Sequence, residues 1–467
     1  MLSPIEQKLL FAGCVYVQDR DMVYTPAGYL LDKSRFYRDG RYKGWSFVMD
    51  RSNGRVSKSA WDCFTGSEAV IFPDVRASCF RPELPAGAIV EEEGIRLLNT
   101  YTPIDTLAID GDPAPFLGLM KKLYPVKRDR EILLSYAASC VQNVGYKFQW
   151  WPVLQGAEGN GKSAIIRCVS HAIGHRYTHL PDIADMAKNG MKFNSWVDRS
   201  LFIGIEEIYV PHKKDFLEQF KTLVTNDRIQ IEAKGMNQVM GDNRANGIMC
   251  TNHKDGIPIT VDGRRYCALY SAHQSKEDIL RDGMGGDYFP DLYDWFKGRG
   301  KYAQFGANYG FAIVNHYLRT YKIAAEFDPA RSCQQAPQTS STREAIELSL
   351  GVIEQEIQEA IESGAPGFQG GWISSKALDV LMLERRMTLP RNKRLSSMRL
   401  LGYEHHPNLR KGRSSVDMPG TTDRPTLYIK SGHWAAGLKD GAEILKAYIS
   451  AQLPGAKPMV GLVATGR

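Results

Sequence analysis

Gly156-Ala157-Glu158-Gly159-Asn160-Gly161-Lys162-Ser163 is the stretch on which the fold turns. It satisfies the phosphate-loop pattern GxxxxGK[ST] in full. The apolar run Pro152-Val153-Leu154 leads into it, and helix-compatible residues from Ser163 to Val169 lead out, which is the strand–loop–helix setting the pattern requires. Glycines let the backbone turn tightly enough to aim several N–H groups at phosphate oxygens. The helix that follows adds the positive end of its dipole. Lys162 is then placed to reach the β- and γ-phosphates, and the Ser163 hydroxyl to ligate Mg²⁺. The loop calls for a nucleoside triphosphate with Mg²⁺, held by Gly156, Glu158, Gly159, Asn160, Gly161, Lys162 and Ser163.

A phosphate loop alone suits kinases, transporters and motors, so the residues after it must choose. From residue 150 to about 320, apolar runs alternate with helical patterns, as in a parallel sheet flanked by helices. The runs place strands near 152–155, 201–205, 247–251 and 266–270. Leu201-Phe202-Ile203-Gly204-Ile205 reads as a buried strand that ends in Glu206-Glu207. Carboxylates at the carboxyl end of such a strand sit where open α/β sheets place their chemistry. Glu206 is assigned to the metal and Glu207 to activation of the attacking water. Gly247 to Thr251 delivers Asn252, an uncharged amide suited to hold that water or to sense the γ-phosphate. Arg264 and Arg265 precede the strand Tyr266–Tyr270, and an arginine on such a turn can stabilise charge on a transferred phosphoryl group. Arg265 is favoured over Arg264. The plain alternatives are turn formation at Asn252 and a structural salt bridge at the arginines.

Between these elements, Arg228 to Ala233 alternates polar and apolar residues like a hairpin strand, with Lys234-Gly235 at its tip or bend. Lys234 there suits contact with a nucleic-acid backbone.

The flanks differ in texture. Residues 1–95 hold short apolar and aromatic runs broken by turns such as Asp50-Arg51-Ser52-Asn53-Gly54, which reads as a small mixed α/β accessory domain. Residues 96–148 form a helical lead-in, with helices over Pro115–Tyr124 and Asp129–Val144 and Gly145 as a C-cap. Residues 149–327 are the ATPase domain and 328–344 a polar, proline-containing linker. A helix over Thr342–Ile361 opens a domain spanning 345–455, and 456–467 is a Gly/Pro-containing tail expected to be disordered. Within Leu381–Lys430, eleven Lys or Arg face four Asp or Glu, a surplus equal to the whole formal charge of +7, and a polyanion partner follows.

Composition excludes other classes. The chain is 43% apolar and 24% charged, with no apolar run long enough for a membrane span and no basic-then-apolar amino terminus. Its eight cysteines are scattered without a closely spaced pair, so reduced thiols in a cytoplasmic protein are expected rather than zinc or disulfides. His171, His175 and His179 recur at metal-binding spacing but lack an acidic or cysteine companion, and read as surface or satisfied histidines. Trp150-Trp151 reads as packing at the sheet edge, and His405-His406 as a loop or part of the basic surface.

The order of these parts resembles a superfamily 3 helicase of the kind fused to or partnered with primases in phages and large DNA viruses, a branch of the AAA+ ATPases. The resemblance covers roughly residues 90–275. It rests on Gly156–Ser163 with Asn160 directly before Gly161-Lys162, on Leu201–Glu207, on Lys221–Gly235, and on Thr251-Asn252-His253 followed by Arg264-Arg265; Leu98-Asn99-Thr100-Tyr101 adds a similar lead-in element. It implies an α/β fold with an AAA+ P-loop core around a central parallel sheet, followed by a basic helical or winged-helix-like module. It also implies a ring, usually a hexamer, with Glu207 acting from one protomer, Arg264 or Arg265 from its neighbour, and Lys234 facing single-stranded or forked DNA. The implied activity is ATP-dependent DNA unwinding, with a loader, packaging or partitioning ATPase as the alternative. Two features depart from the pattern. Glu206-Glu207 stands where many such ATPases have Asp-Glu, and no primase signature precedes residue 90, so priming would fall to a separate primase or polymerase.

Overall fold

Three of the long apolar runs become the middle of one parallel sheet, in a computed structural model that describes residues 1–183, 186, 194–208, 214–232, 238–254, 256–257, 259, 263–331, 334–349 and 351–452. Contacts divide the chain into two units, residues 1–256 with 264–340, and residues 257–263 with 341–467.

The first unit begins with a β-rich part. Its strands are β1 (Val15–Val17), β2 (Met22–Tyr24), β3 (Leu30–Leu31), β4 (Phe47–Val48), β5 (Val56–Ser57), β6 (Asp74–Val75), β7 (Ala77–Cys79), β8 (Ile89–Glu92) and β9 (Ile95–Asn99), with helices α1 (Pro4–Leu10), α2 (Lys33–Arg38) and α3 (Ala60–Gly66). Phe11 anchors this part, with the rings of Phe36, Tyr42, Phe47, Phe64 and Phe72 all within 6.0 Å. Helices α4 (Ala114–Leu123) and α5 (Lys127–Gln142) follow close to their expected places.

The central strands are β10 (Trp151–Gln155), β11 (Thr178–His179), β12 (Phe202–Ile205), β15 (Asn246–Thr251) and β16 (Tyr266–Tyr270), in the order β11-β12-β15-β10-β16. Every pairing is parallel. All residues of β10, β12 and β15 are buried, which is why these strands read as unbroken apolar runs rather than alternating ones. The two-residue β11 has no such run and was not anticipated. Helix α6 (Lys162–Ile173) packs on the sheet with α5, and α7 (Lys214–Thr225) leads to the antiparallel hairpin β13 (Arg228–Ile231) and β14 (Val239–Asp242). Lys234, the expected hairpin tip, lies outside the described residues. Helices α8 (Lys276–Arg281), α9 (Tyr288–Lys297) and α10 (Tyr309–Thr320) complete the unit, α10 against α5 and α6.

Trp150 and Trp151 are buried inside the sheet rather than at its edge. A Cβ on Gly247 would lie 2.5 Å from the Trp151 ring and 2.7 Å from the Ile203 carbonyl, so only glycine fits between β10 and β12 there. His171 stacks on Phe311 at 5.6 Å and His179 on Trp196 at 4.9 Å. Among the described residues no cluster of metal-ligating side chains occurs.

Much of the stretch expected as a linker lies along the sheet. Edge strand β16 leaves backbone groups unpaired, and such groups attract partners. The Ala336 N–H donates to the Arg264 carbonyl at 2.9 Å, Thr339 donates to the Ala268 carbonyl, and the Ser340 N–H reaches Asp129 Oδ1 at 3.2 Å.

The second unit contains α11 (Thr342–Ser349), α12 (Val352–Glu362), β17 (Trp372–Ser374), α13 (Ser375–Glu384), α14 (Arg391–Leu400), β18 (Tyr403–His405), β19 (Leu427–Lys430) and α15 (Gly441–Ala451). The single helix expected over 342–361 is two, the second N-capped by Gly351. From α12 onward the order is helix–strand–helix–helix–strand–strand, and the antiparallel sheet runs β17-β19-β18, the arrangement of a winged helix. His406 is fully buried, stacked on Trp372 at 5.7 Å and bonded to the Ala435 carbonyl at 2.9 Å, so it belongs to the core. The tail expected at 456–467 lies outside the described residues.

One buried cation fastens the hairpin base. Lys147 Nζ donates to the Leu223 carbonyl at 2.9 Å and to the Ala245 carbonyl, beneath the Trp151 ring. Desolvation pushes its pKa down to about 7. The folded chain therefore binds fewer protons here than the unfolded chain between pH 7 and pH 10. Stability should rise with pH over that window, by at most about 1.4 kcal/mol per pH unit, and Lys147→Met should flatten the rise in urea melts at successive pH values. Gly247→Ala should cost about 1–3 kcal/mol by overpacking, read from the same melts.

Candidate functional site

Strand β10 ends at Gln155, and the loop turns at once into α6. Gly159 and Gly161 take φ of +77° and +96°, a region closed to most side chains, and so shape the cradle. A Cβ on Gly156 would collide with Ser271 Oγ. Asn160 is completely buried, its Nδ2 donating to Ser271 Oγ at 2.9 Å while its Oδ1 accepts the Lys162 N–H at 3.3 Å. Ser271 in turn donates to the His273 carbonyl at 3.0 Å. Asn160 thus braces the loop from within, whereas Glu158 and Gly159 stand exposed at its rim.

Lys162 lies in the first turn of α6, with half-buried Ser163 beside it. Its Nζ donates to the carbonyls of Gly156 at 2.7 Å and Ala157 at 2.8 Å. It also lies 3.2 Å from Asn160 Oδ1 and from Asn252 Oδ1. An ammonium has three donors, so these four acceptors share them. Desolvation lowers the Lys162 pKa, opposed by Cys250, Glu158 and Glu207.

The sheet register explains why Asn252 is there. Gln155 pairs with Thr251 across β10 and β15, so both strands end at one level and the next residue of β15 faces the loop. Gln155 Nε2 also donates to Gln274 Oε1 at 3.0 Å, tying in the chain beyond β16.

Glu206 and Glu207 leave the end of β12, both exposed. Arg167 on α6 grips Glu206 with Nε to Oε1 at 3.1 Å and Nη2 to Oε2 at 3.4 Å. Glu207 has no hydrogen-bond or ion-pair partner among the described residues. The two carboxylates are therefore inequivalent: one is fixed by a cation and the other is not.

Arg264 and Arg265 lie elsewhere. They directly precede β16, whose first residue Tyr266 pairs with Trp151, while the P-loop follows Gln155, which pairs with Tyr270. Four strand residues separate the two levels by about 13 Å. The Arg265 carbonyl accepts the Trp151 N–H at 2.8 Å; Arg264 is exposed, and Arg265 Nε is buried without a hydrogen-bond partner among the described residues. Within one chain neither arginine borders the loop.

Sequence reasoning missed Arg167, Ser271 and a cavity of about 620 Å³ beside the loop, lined by Ala157, Glu158, Gly159, Ile279, Met284 and Phe289. Arg167 carried a weak signal, five positions beyond Lys162 on the same helix. The cavity wall lies over a hundred residues downstream, with no motif to mark it.

Comparisons with known proteins agree with this architecture. A model for a family of unknown function, DUF5906, matches residues 154–265. The chain is 22% identical over 310 residues to the DNA primase-polymerase of Nitratiruptor phage NrS-1, an overlap of 59% of this chain and 40% of that protein. The chain thus spans less than half the length of that relative. The apo structure of the NrS-1 C-terminal region shares the fold, with a TM-score of 0.60 and 14% identity over 92% of this chain and 100% of that one. A second apo form of that region gives 0.59 with the same coverage and identity.

If the Asn160–Ser271 bond braces the loop, Ser271→Ala should leave a buried amide unsatisfied. A loss of about 1–3 kcal/mol in chemical denaturation is expected, and an unchanged midpoint would contradict the bracing role.

Proposed function

We propose that this chain is an ATP-driven replicative DNA helicase, a ring-forming motor that hydrolyses ATP with Mg²⁺ while moving along single-stranded or forked DNA in phage-type replication. The observation that carries this reading is the 3.2 Å contact between Lys162 and Asn252, at the shared end of β10 and β15, with Glu206 and Glu207 on the adjoining strand. Phosphate binding alone needs no such assembly; hydrolysis with sensing of the γ-phosphate does. The similarity to a phage DNA primase-polymerase supports a place in replication.

On this reading the N–H groups of the loop and Lys162 hold the phosphates, and the base lies in the cavity against Met284 and Phe289. Ser163 and Glu206 would hold Mg²⁺, which supplies positive charge against the phosphates; Glu206 would exchange Arg167 for it. Glu207 takes the proton of the attacking water, and Asn252 orients that water. Arg264 or Arg265 serves the loop of a neighbouring protomer, since neither borders its own. Lys234 contacts the translocating strand. In the second unit, α14 presents exposed Arg391 and Lys393 to a duplex, and a separate primase or polymerase would supply priming.

Hydrolysis by the wild type should be stimulated by single-stranded DNA, and Lys162→Ala should abolish both hydrolysis and fork unwinding. Glu207→Gln should lower turnover by about 10²–10⁴-fold, as expected for loss of a general base, while still binding a fluorescent ATP analogue. Unwinding by the Lys162→Ala protein would sink the proposal. Hydrolysis indifferent to DNA, with no unwinding, would move the reading to a loader or packaging motor.

A further inference from the structure

Residues 33–58 carry eight lysines and arginines, all exposed, against two carboxylates. Both carboxylates are engaged in local turns. Asp39 Oδ1 accepts the Arg41 N–H at 2.9 Å, and Asp50 Oδ1 accepts the Ser52 N–H and hydroxyl at 2.7 Å. Helix α2 runs into a tight turn in which the N–H groups of Tyr42 and Lys43 both reach the Asp39 carbonyl at 3.1 Å. Tyr42 faces inward, stacked on Phe36 at 4.5 Å, and pins the turn to the aromatic core. Its neighbours face solvent: Tyr37 is 52% exposed and Trp45 44%. Arg38 and Lys43, between those rings, have no ion pair among the described residues.

Single exposed aromatics are ordinary on a protein surface. Two of them flanking three cations, on a turn held rigid from below, are a different object. We propose that this turn binds single-stranded nucleic acid, with Arg38, Arg41 and Lys43 on phosphates and Tyr37 and Trp45 stacked on bases. Cations alone would suit a duplex equally; flat exposed rings favour unpaired bases, whose faces are accessible. The turn belongs to a part fastened to the ATPase core by the Arg20–Asp198 pair at 2.6 Å and by the Phe80 N–H on Asp242 Oδ2 at 3.1 Å. Asp242 ends the β14 arm, so a strand held here is tied to the base of the hairpin. The site stands on its own geometry and does not depend on nucleotide hydrolysis.

The test is anisotropy of a fluorescein-labelled oligothymidylate with the full chain, without nucleotide, over a salt series. Tyr37→Ala with Trp45→Ala should weaken binding roughly tenfold or more, and Trp45→Phe, which keeps a ring, should retain most of it. Arg38→Ala with Lys43→Ala should reduce the slope of log affinity against log salt by about 1.4, or 0.7 for each lost phosphate contact. Binding is read in the absence of nucleotide, which separates this site from the motor reading. Unchanged affinity and slope in both double variants would overturn the proposal. So would an equal loss on a blunt duplex by the aromatic variant, which would mark the patch as a general polyanion surface.

Discussion

The parallel register of β10 between β15 and β16 is the constraint on which the site depends. Because Gln155, Thr251 and Tyr270 lie at one level, the loop after β10 and the amide after β15 emerge side by side. Everything near the phosphate cradle then follows from keeping those strands close. Gly247 lets the Trp151 ring lie flat against β15, and the Tyr136 hydroxyl donates to the Gly247 carbonyl at 3.0 Å from helix α5. A bulkier residue at this point would spread β10 from β12 and carry Asn252 away from Lys162. Packing deep in the sheet is therefore a condition for chemistry at its edge.

The second constraint is electrostatic. A buried ammonium needs hydrogen-bond partners, and Lys162 takes them from carbonyls of its own loop and from two uncharged amides. On the proposed reading, neutral partners suit a residue that would hand its donors to phosphate oxygens, because a carboxylate in the same place would compete with the ligand as an anion. The nearby carboxylates are arranged accordingly. Glu206 is drawn onto α6 by Arg167, and Glu207 influences Lys162 through space without contacting it. Asn160 combines both constraints, since the buried side chain that braces the loop also offers its oxygen to the lysine.

The parts legible in sequence were those whose burial leaves a one-dimensional trace. Strands covered on both faces read as apolar runs, and the loop glycines read as a motif because their φ values exclude other residues. What stayed hidden was tertiary. Arg167 looks like any helix-surface arginine until Glu206 is folded beside it. Residues 336–340 look like a linker because their polar side chains read as solvent-facing, whereas Thr339 bonds a carbonyl of the edge strand and Ser340 bonds Asp129 on α5. His406 looked like part of a basic surface, yet a ring that stacks on Trp372 and bonds a carbonyl is as much a core residue as a leucine. Charge behaved the same way: the carboxyl-terminal surplus matched the total, while in residues 33–58 Lys33, Arg35 and Arg55 pair with nearby acids and Arg38 and Lys43 have no ion pair among the described residues.

The position of Arg264 and Arg265 bears on how many chains make one site. Phosphoryl transfer spreads negative charge over the equatorial oxygens, and on the proposed reading a cation beyond the loop lysine would meet it. Arg167 is bonded to Glu206, and on the proposed reading it leaves that carboxylate only when Mg²⁺ takes its place there. The two arginines at the start of β16 lie a strand length from their own loop, so flexing of their side chains does not close the gap. Arg264 is exposed on that far side. On the proposed reading, a second protomer that turns this end of its sheet toward the first one's loop supplies the missing charge. Hydrolysis would then be coupled to assembly, because the chemistry is incomplete in a single chain.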